Sequence, residues 1–269
     1  KRHDRTCDST IMDNFLWGGY YHIRFCERDE KAVLWIMNID GKDYAALPVC
    51  SLEDLPHYFK ELEQYFNEDL HLPLEIFLAD EEAVEYLKLP KDRYAVEELP
   101  DARDYIYSAE SLKVLSGKKL GKKKNHINYL KREYAGRYEY RTLGCSDGLD
   151  VWRFLDKWRA QKGQEVEGHL DYEVEGIHDI LRNCSAFHVH MGGVYIDGEL
   201  KAFTVGSLNE RENMAVIHIE KADPEINGLY QFINQQFLIH EFPEAEIVNR
   251  EDDMGLPALR QAKLSYEPM

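Results

Sequence analysis

The sequence predicts an α/β protein with mixed sheets, organised as two domains. Three observations lead there. A chain of 269 residues is long for one small domain and sufficient for two of ordinary size. Segments rich in Tyr, Ile, Val and Trp alternate with segments whose apolar residues recur at helical spacing. A turn-rich stretch, Gly144-Cys145-Ser146-Asp147-Gly148, separates two such alternations, which sets a first domain at 1–143 and a second at 144–269.

In the first part, 20–26 and 31–38 read as strands joined by a polar turn, and Asp40-Gly41 turns the chain into a third strand at 43–48. Ser51, with Asp54 three residues on, reads as a helix start ahead of Leu55, Tyr58, Phe59, Leu62 and Phe66. A short strand at 74–78, a helix at 80–87 and a strand at 93–99 follow. Helices are expected at 108–115 and 117–134, the second with Leu120, Ile127, Leu130 and Tyr134 along one face, and then a strand at 137–143.

The second part reads as a helix carrying Leu149, Trp152, Leu155 and Trp158, and a helix at about 173–182. A hairpin of strands 187–196 and 199–208 turns on Asp197-Gly198. A strand at 213–220, a helix from Pro224 to His240, a short strand at 245–248 and a last helix at 257–264 complete it. Helix, helix, hairpin, strand, helix, strand, helix is the order of the GNAT acyltransferase core.

Composition narrows the function classes. Nothing approaches about 18 consecutive apolar residues, so no membrane-spanning helix is expected. Residues 1–13 are polar and lack a signal peptide's apolar centre, which points to the cytoplasm. The five cysteines are scattered, odd in number and without a CxxC pair, so buried free thiols are expected rather than a disulfide or zinc framework. Net charge is −17, yet Lys118, Lys119, Lys122, Lys123, Lys124, Lys131 and Arg132 fall in one acid-free run. The rest of the chain holds 26 basic against 50 acidic residues. This run suits a phosphate backbone, with Tyr129 and Tyr134 able to stack on bases; a solvated face, or one docked on the protein's own acidic surface, is the competing reading.

Four blocks carry a closer likeness. They are Lys118-Lys119-Leu120-Gly121-Lys122-Lys123-Lys124-Asn125-His126, running on to Tyr134; Ile217-His218-Ile219-Glu220-Lys221-Ala222-Asp223-Pro224-Glu225; Asn249-Arg250-Glu251-Asp252-Asp253-Met254-Gly255; and Leu259-Arg260-Gln261-Ala262-Lys263, running on to Pro268. Together they resemble a bacterial family of uncharacterised proteins similar to the C-terminal domain of phosphatidylglycerol lysyltransferases. The likeness covers the chain from about Tyr107 to the end. It implies two tandem GNAT-like domains and transfer of an aminoacyl group from tRNA. The lysyltransferases use a lipid headgroup as acceptor and carry a membrane domain. No membrane-spanning segment is expected in these residues, so a small molecule stands beside a lipid headgroup as acceptor.

Candidate chemistry gathers at strand ends. His218 and Glu220 alternate on one strand face, where a His and a carboxylate could deprotonate an attacking amine or hydroxyl. Asn249, Arg250, Glu251 and Asp253 follow the last short strand, where open α/β sheets bind ligands. Arg250 could hold a carboxylate or phosphate, and Glu251 or Asp253 an amino group. Arg260 and Lys263 share a helix face, and Lys263 could stabilise a developing oxyanion. His188 and His190, with His218 and Glu220, offer a metal set in principle, but period-two histidines commonly sit on half-buried faces and no metal is expected. The loop Asp223-Pro224-Glu225-Ile226-Asn227-Gly228, with one glycine and two acids, is a poor cradle for the pyrophosphate of coenzyme A. The expected protein is an acyl- or aminoacyltransferase acting on an amine or hydroxyl, with aminoacyl-tRNA as donor. An acyl-CoA acetyltransferase and a non-catalytic binding protein are the alternatives.

Overall fold

The computed structural model describes residues 5–162 and 169–269. The chain divides after Ala102 into two compact units.

The first unit holds α1 (Ile11–Leu16), β1 (Arg24–Arg28), β2 (Ala32–Ile39), β3 (Lys42–Ala45), α2 (Leu55–Gln64) and α3 (Glu81–Leu87). The three strands form an antiparallel sheet in the order β1-β2-β3. Alternation along β2 buries Ala32 and Leu34 in a core with Leu55, Tyr58, Phe59, Leu62 and Phe66. Helix α2 starts three residues later than expected: Ser51 opens a turn, with Asp54 N–H donating to Ser51 Oγ at 3.1 Å, and Asp54 is the residue that caps the helix. Two strand expectations fail. The segment 74–78 makes a single bridge, Ala45 to Ile76. The segment 93–99 is irregular: Arg93 and Tyr94 both turn to the Glu63 carboxylate, and Val96 and Leu99 are exposed, so it buries no apolar face to hold a strand.

In the second unit, β4 (Ile106–Ser108) leads into α4 (Ala109–Val114), α5 (Gly117–Glu133), β5 (Tyr138–Leu143), α6 (Gly148–Gln161) and α7 (His169–Arg182). Then come β6 (His190–Ile196), β7 (Glu199–Asn209), β8 (Met214–Ala222), α8 (Leu229–Glu241), β9 (Ile247–Asn249) and α9 (Pro257–Leu264). One six-stranded sheet runs β4-β9-β8-β7-β6-β5, with β8 and β9 parallel and the other pairs antiparallel. The expected GNAT order of α6 to α9 is present, with β4 as an extra edge strand that sequence reading missed.

The unit boundary therefore lies at 102/103, not near Gly144. Strand β5 pairs along its whole length with β6, from Tyr138↔Ile196 to Leu143↔Met191. Helix α5 puts Leu120, Ile127 and Leu130 into the second unit's core, contributing roughly 1.5–3 kcal/mol each. Gly144–Gly148 is only the turn between β5 and α6. The Asp197-Gly198 turn has φ of 53° and 80°, the left-handed pair that a primed hairpin needs.

Cysteines were expected to be free thiols. Cys7, Cys26 and Cys50 are not in disulfides, but Cys145 and Cys184 form one that ties the turn before α6 to the turn after α7. The two are 39 positions apart, a pairing that spacing does not reveal. Among the described residues, no helix is long and apolar enough to cross a membrane.

Helix α5 also closes over the start of α8. Gly228 caps α8 at φ 88°, and a Cβ there would lie 2.2 Å from the His126 carbonyl oxygen. His126 Nδ1 lies 2.7 Å from Asn227 Oδ1. Both the positive φ and the close approach demand glycine. Gly228→Ala is expected to lower stability by more than about 1 kcal/mol, read as a lower denaturant midpoint with unchanged slope.

Candidate functional site

Strands β8 and β9 run parallel with Val216 opposite Asn249, so the chain leaving β9 lies along the second half of β8. That places Arg250, Glu251 and Asp252 beside His218 and Glu220. A bulge refines the arrangement. Val205 pairs with Ile219, but Gly206 pairs with Ile217, so His218 is an extra residue against β7. A bulge bends its strand and re-aims the side chain there.

His218 sits at the centre of a line of three groups. Its Nε2 is 2.8 Å from Ser207 Oγ on β7, and its Nδ1 is 2.9 Å from Glu251 Oε1. The imidazole is fully enclosed, and burial pulls its pKa down to about 4, so it is neutral at physiological pH. Burial pushes the Glu251 carboxyl well above the usual carboxylate range, against the pull of Lys263.

Glu220 forms a second cluster. It accepts from Asn234 Nδ2 at 2.9 Å and from Arg250 Nη2 at 3.1 Å. The guanidinium of Arg250 lies 4.9 Å from the ring centre of Tyr266 and 5.9 Å from that of Tyr107. Its Nη1 is buried and meets no hydrogen-bond partner among the described residues. A buried donor without a partner costs about 1–3 kcal/mol, and an acceptor brought by a ligand would remove that cost. Lys123 of α5 lies over the same Tyr266 ring at 4.2 Å, with its pKa lowered by burial and by Arg250. Two cations thus share one aromatic wall beside an unmet donor, a setting suited to a carboxylate or a phosphate.

The other expected site residues are engaged with neighbouring groups of the fold. Lys263 was assigned to a developing oxyanion, but its Nζ donates to the backbone carbonyls of Arg250 and Asp252 and so fixes the loop that carries Arg250 and Glu251. Asp253 and Arg260, both assigned to substrate, join through two bonds of 2.7 and 2.8 Å, and Tyr105 also donates to Asp253. Arg260 holds the Asp253 carboxyl down to about 2. Asn249 donates to Asp104 at 2.7 Å and accepts the Glu251 N–H at 2.6 Å, tightening the turn after β9. Glu251 faces His218 rather than standing open for an amino group.

The four groups of the conceivable metal set do not converge. His190 lies 3.7 Å from Glu241, while His218 and Glu220 are engaged as described. Within the basic run, Lys118, Lys119, Lys122, Lys124, Lys131 and Arg132 are exposed along α5, and Lys123 is half-buried at Tyr266. Lys119 pairs with Glu267 at 2.6 Å, an exposed contact worth little. Sequence reading missed Ser207, Asn234, Tyr107 and Tyr266. Ser207 would have needed the bulged β7–β8 register, which no local pattern encodes.

The second unit is thus an α/β domain of GNAT order with a buried histidine between Ser207 and Glu251 and, beside it, a cluster of Glu220, Arg250 and Lys123 against Tyr266. The family described as phosphatidylglycerol lysyltransferase, C-terminal, matches residues 3–269, and the chain belongs to it. A conserved protein of unknown function from Bacteroides thetaiotaomicron superposes with a TM-score of 0.89 at 26% identity, covering 100% of this chain and 89% of that one. The L-PGS of Bacillus licheniformis shares the fold with a TM-score of 0.66 at 15% identity, covering 96% of this chain and 83% of that one. In sequence, an uncharacterised protein of Mycoplasmoides gallisepticum is 28% identical over 201 residues, 72% of this chain and 61% of that protein. The chain therefore spans about three fifths of the length of that relative.

Proposed function

We propose that this protein is an aminoacyltransferase that takes an aminoacyl group from tRNA and passes it to a hydroxyl or amine acceptor. The observation that carries this reading is the closure of the α8 start by α5. A coenzyme A pyrophosphate seated there would need the space that the His126 backbone and Leu130 occupy at Gly228. The same helix turns exposed lysines outward and places Lys123 beside Arg250, as suits a donor that brings many phosphates. Family membership supports the same chemistry, and the L-PGS likeness makes a lipid headgroup the first acceptor to try, with soluble amines and alcohols after it.

Binding of aminoacylated tRNA at two salt concentrations, with acetyl-CoA in parallel, tests the donor. Each phosphate contact removed reduces the slope of log affinity against log salt by about 0.7–0.9. Lys118→Glu, Lys122→Glu and Lys124→Glu together are expected to flatten that slope by at least about 2. Clear acetyl-CoA binding without tRNA binding would overturn the proposal.

A further inference from the structure

Ser207 stands outside every role described so far. It is a half-buried hydroxyl on β7, and its Oγ faces a neutral imidazole at 2.8 Å whose other nitrogen faces a carboxylate at 2.9 Å. Nucleophile, base and orienting acid in hydrogen-bond contact are the parts of an activated-serine relay, recognised by geometry and not by sequence order. The order here is Ser207, His218, Glu251, drawn from β7, from the β8 bulge and from the chain after β9. The bulge supports this reading, because an unbulged ladder would pair His218 like its neighbours.

We infer that Ser207 is a nucleophile that carries the acyl group between donor and acceptor, with His218 as its general base and Glu251 as the group orienting His218. This rests on the acyl-transfer reading above and divides that reaction into two steps. In the first, Ser207 Oγ bonds to the carbonyl carbon of the donor ester, and its proton passes to His218 Nε2. The bond from that carbon to the donor oxygen breaks, and the donor leaves as an alcohol with the proton from Nε2. An acyl ester on Ser207 remains. In the second, the acceptor oxygen or nitrogen gives its proton to Nε2 and bonds to the acyl carbon, and Ser207 Oγ leaves and regains the proton. Donor plus acceptor become alcohol plus acylated acceptor, with no other reactant.

A fluorophosphonate probe on the full chain tests the nucleophile whatever the donor is. Tryptic cleavage yields 202–211, in which Ser207 is the one serine. The expected result is one label per chain on that peptide, none in Ser207→Ala, and labelling about 100-fold slower in His218→Asn. Ser207→Cys should instead be alkylated by iodoacetamide on the same peptide. Wild-type labelling no faster than that of Ser207→Ala, with both proteins folded by near-UV circular dichroism, overturns the relay. Transfer from charged tRNA at full rate in Ser207→Ala would also overturn it while leaving the aminoacyl reading intact. Label on Ser207 with no binding or consumption of charged tRNA would support the relay and remove tRNA as donor.

Discussion

Arg250→Met is expected to destabilise the protein by about 3–5 kcal/mol, because it strands a largely buried carboxylate. Side chains of Arg250 and Glu220 are 13% and 12% exposed, and removing the cation leaves Glu220 with the Asn234 hydrogen bond among the described residues. Replacing both members, Arg250→Met with Glu220→Gln, removes the charge that caused the penalty. The double variant is therefore expected to recover most of the stability, read as a strongly non-additive cycle in denaturant melts. Activity should not recover. Nη1 has no hydrogen-bond partner among the described residues, and methionine offers nothing to an incoming anion. Transfer by the refolded double variant is expected to stay about 10²–10³-fold below wild type, the loss seen when one preorganised donor is removed from a reacting centre. A double variant that is stable and fully active would reduce Arg250 to a structural ion pair.

Much of the fold was legible because periodicity reports it directly. The α5 stripe of Leu120, Ile127 and Leu130 and the Asp197-Gly198 hairpin each leave a local pattern. The boundary was misread because turn chemistry at Gly144–Gly148 marks a turn and says nothing of which strand pairs with which. The β5–β6 pairing, a non-local fact, decides it. At the site, residue types pointed to His218, Glu220 and Arg250, which the fold does gather. Their partners were another matter. Lys263 reads as a catalytic cation by type, yet its position on α9 brings the ammonium against two carbonyls. Ser207 and Glu251 meet His218 through a bulge and a parallel strand pair, features set by packing between elements. The disulfide is of the same kind, since two distant turns meet only once α6 and α7 are folded.

Glu251→Gln is expected to reduce transfer by about 10⁴-fold while leaving the protein as stable or more so. An ionised Glu251 can only accept, so it holds the proton of His218 on Nδ1 and leaves Nε2 free to take the proton of Ser207. A glutamine amide can donate to Nδ1 instead, which moves the ring proton to Nε2 and removes the base. Protonation of Glu251 itself has the same effect, so wild-type activity should rise with pH as that carboxyl ionises. Burial pushes the midpoint above the usual carboxylate range; Lys263 pulls it back, and Asp104, Asp252 and Glu173 push it further up. The stability signs differ between the two partners. Glu251 is raised in the folded state, so its contribution to stability is lost as pH rises through the folded value, and the glutamine variant avoids that loss. His218 is lowered from 6.5 to about 4, so stability falls as pH drops from about 6.5 toward 4, in wild type and variant alike. Parallel pH series of activity and melting temperature separate these effects. A variant that loses activity only in proportion to lost folding would show that Glu251 supports the structure and not the histidine's tautomer.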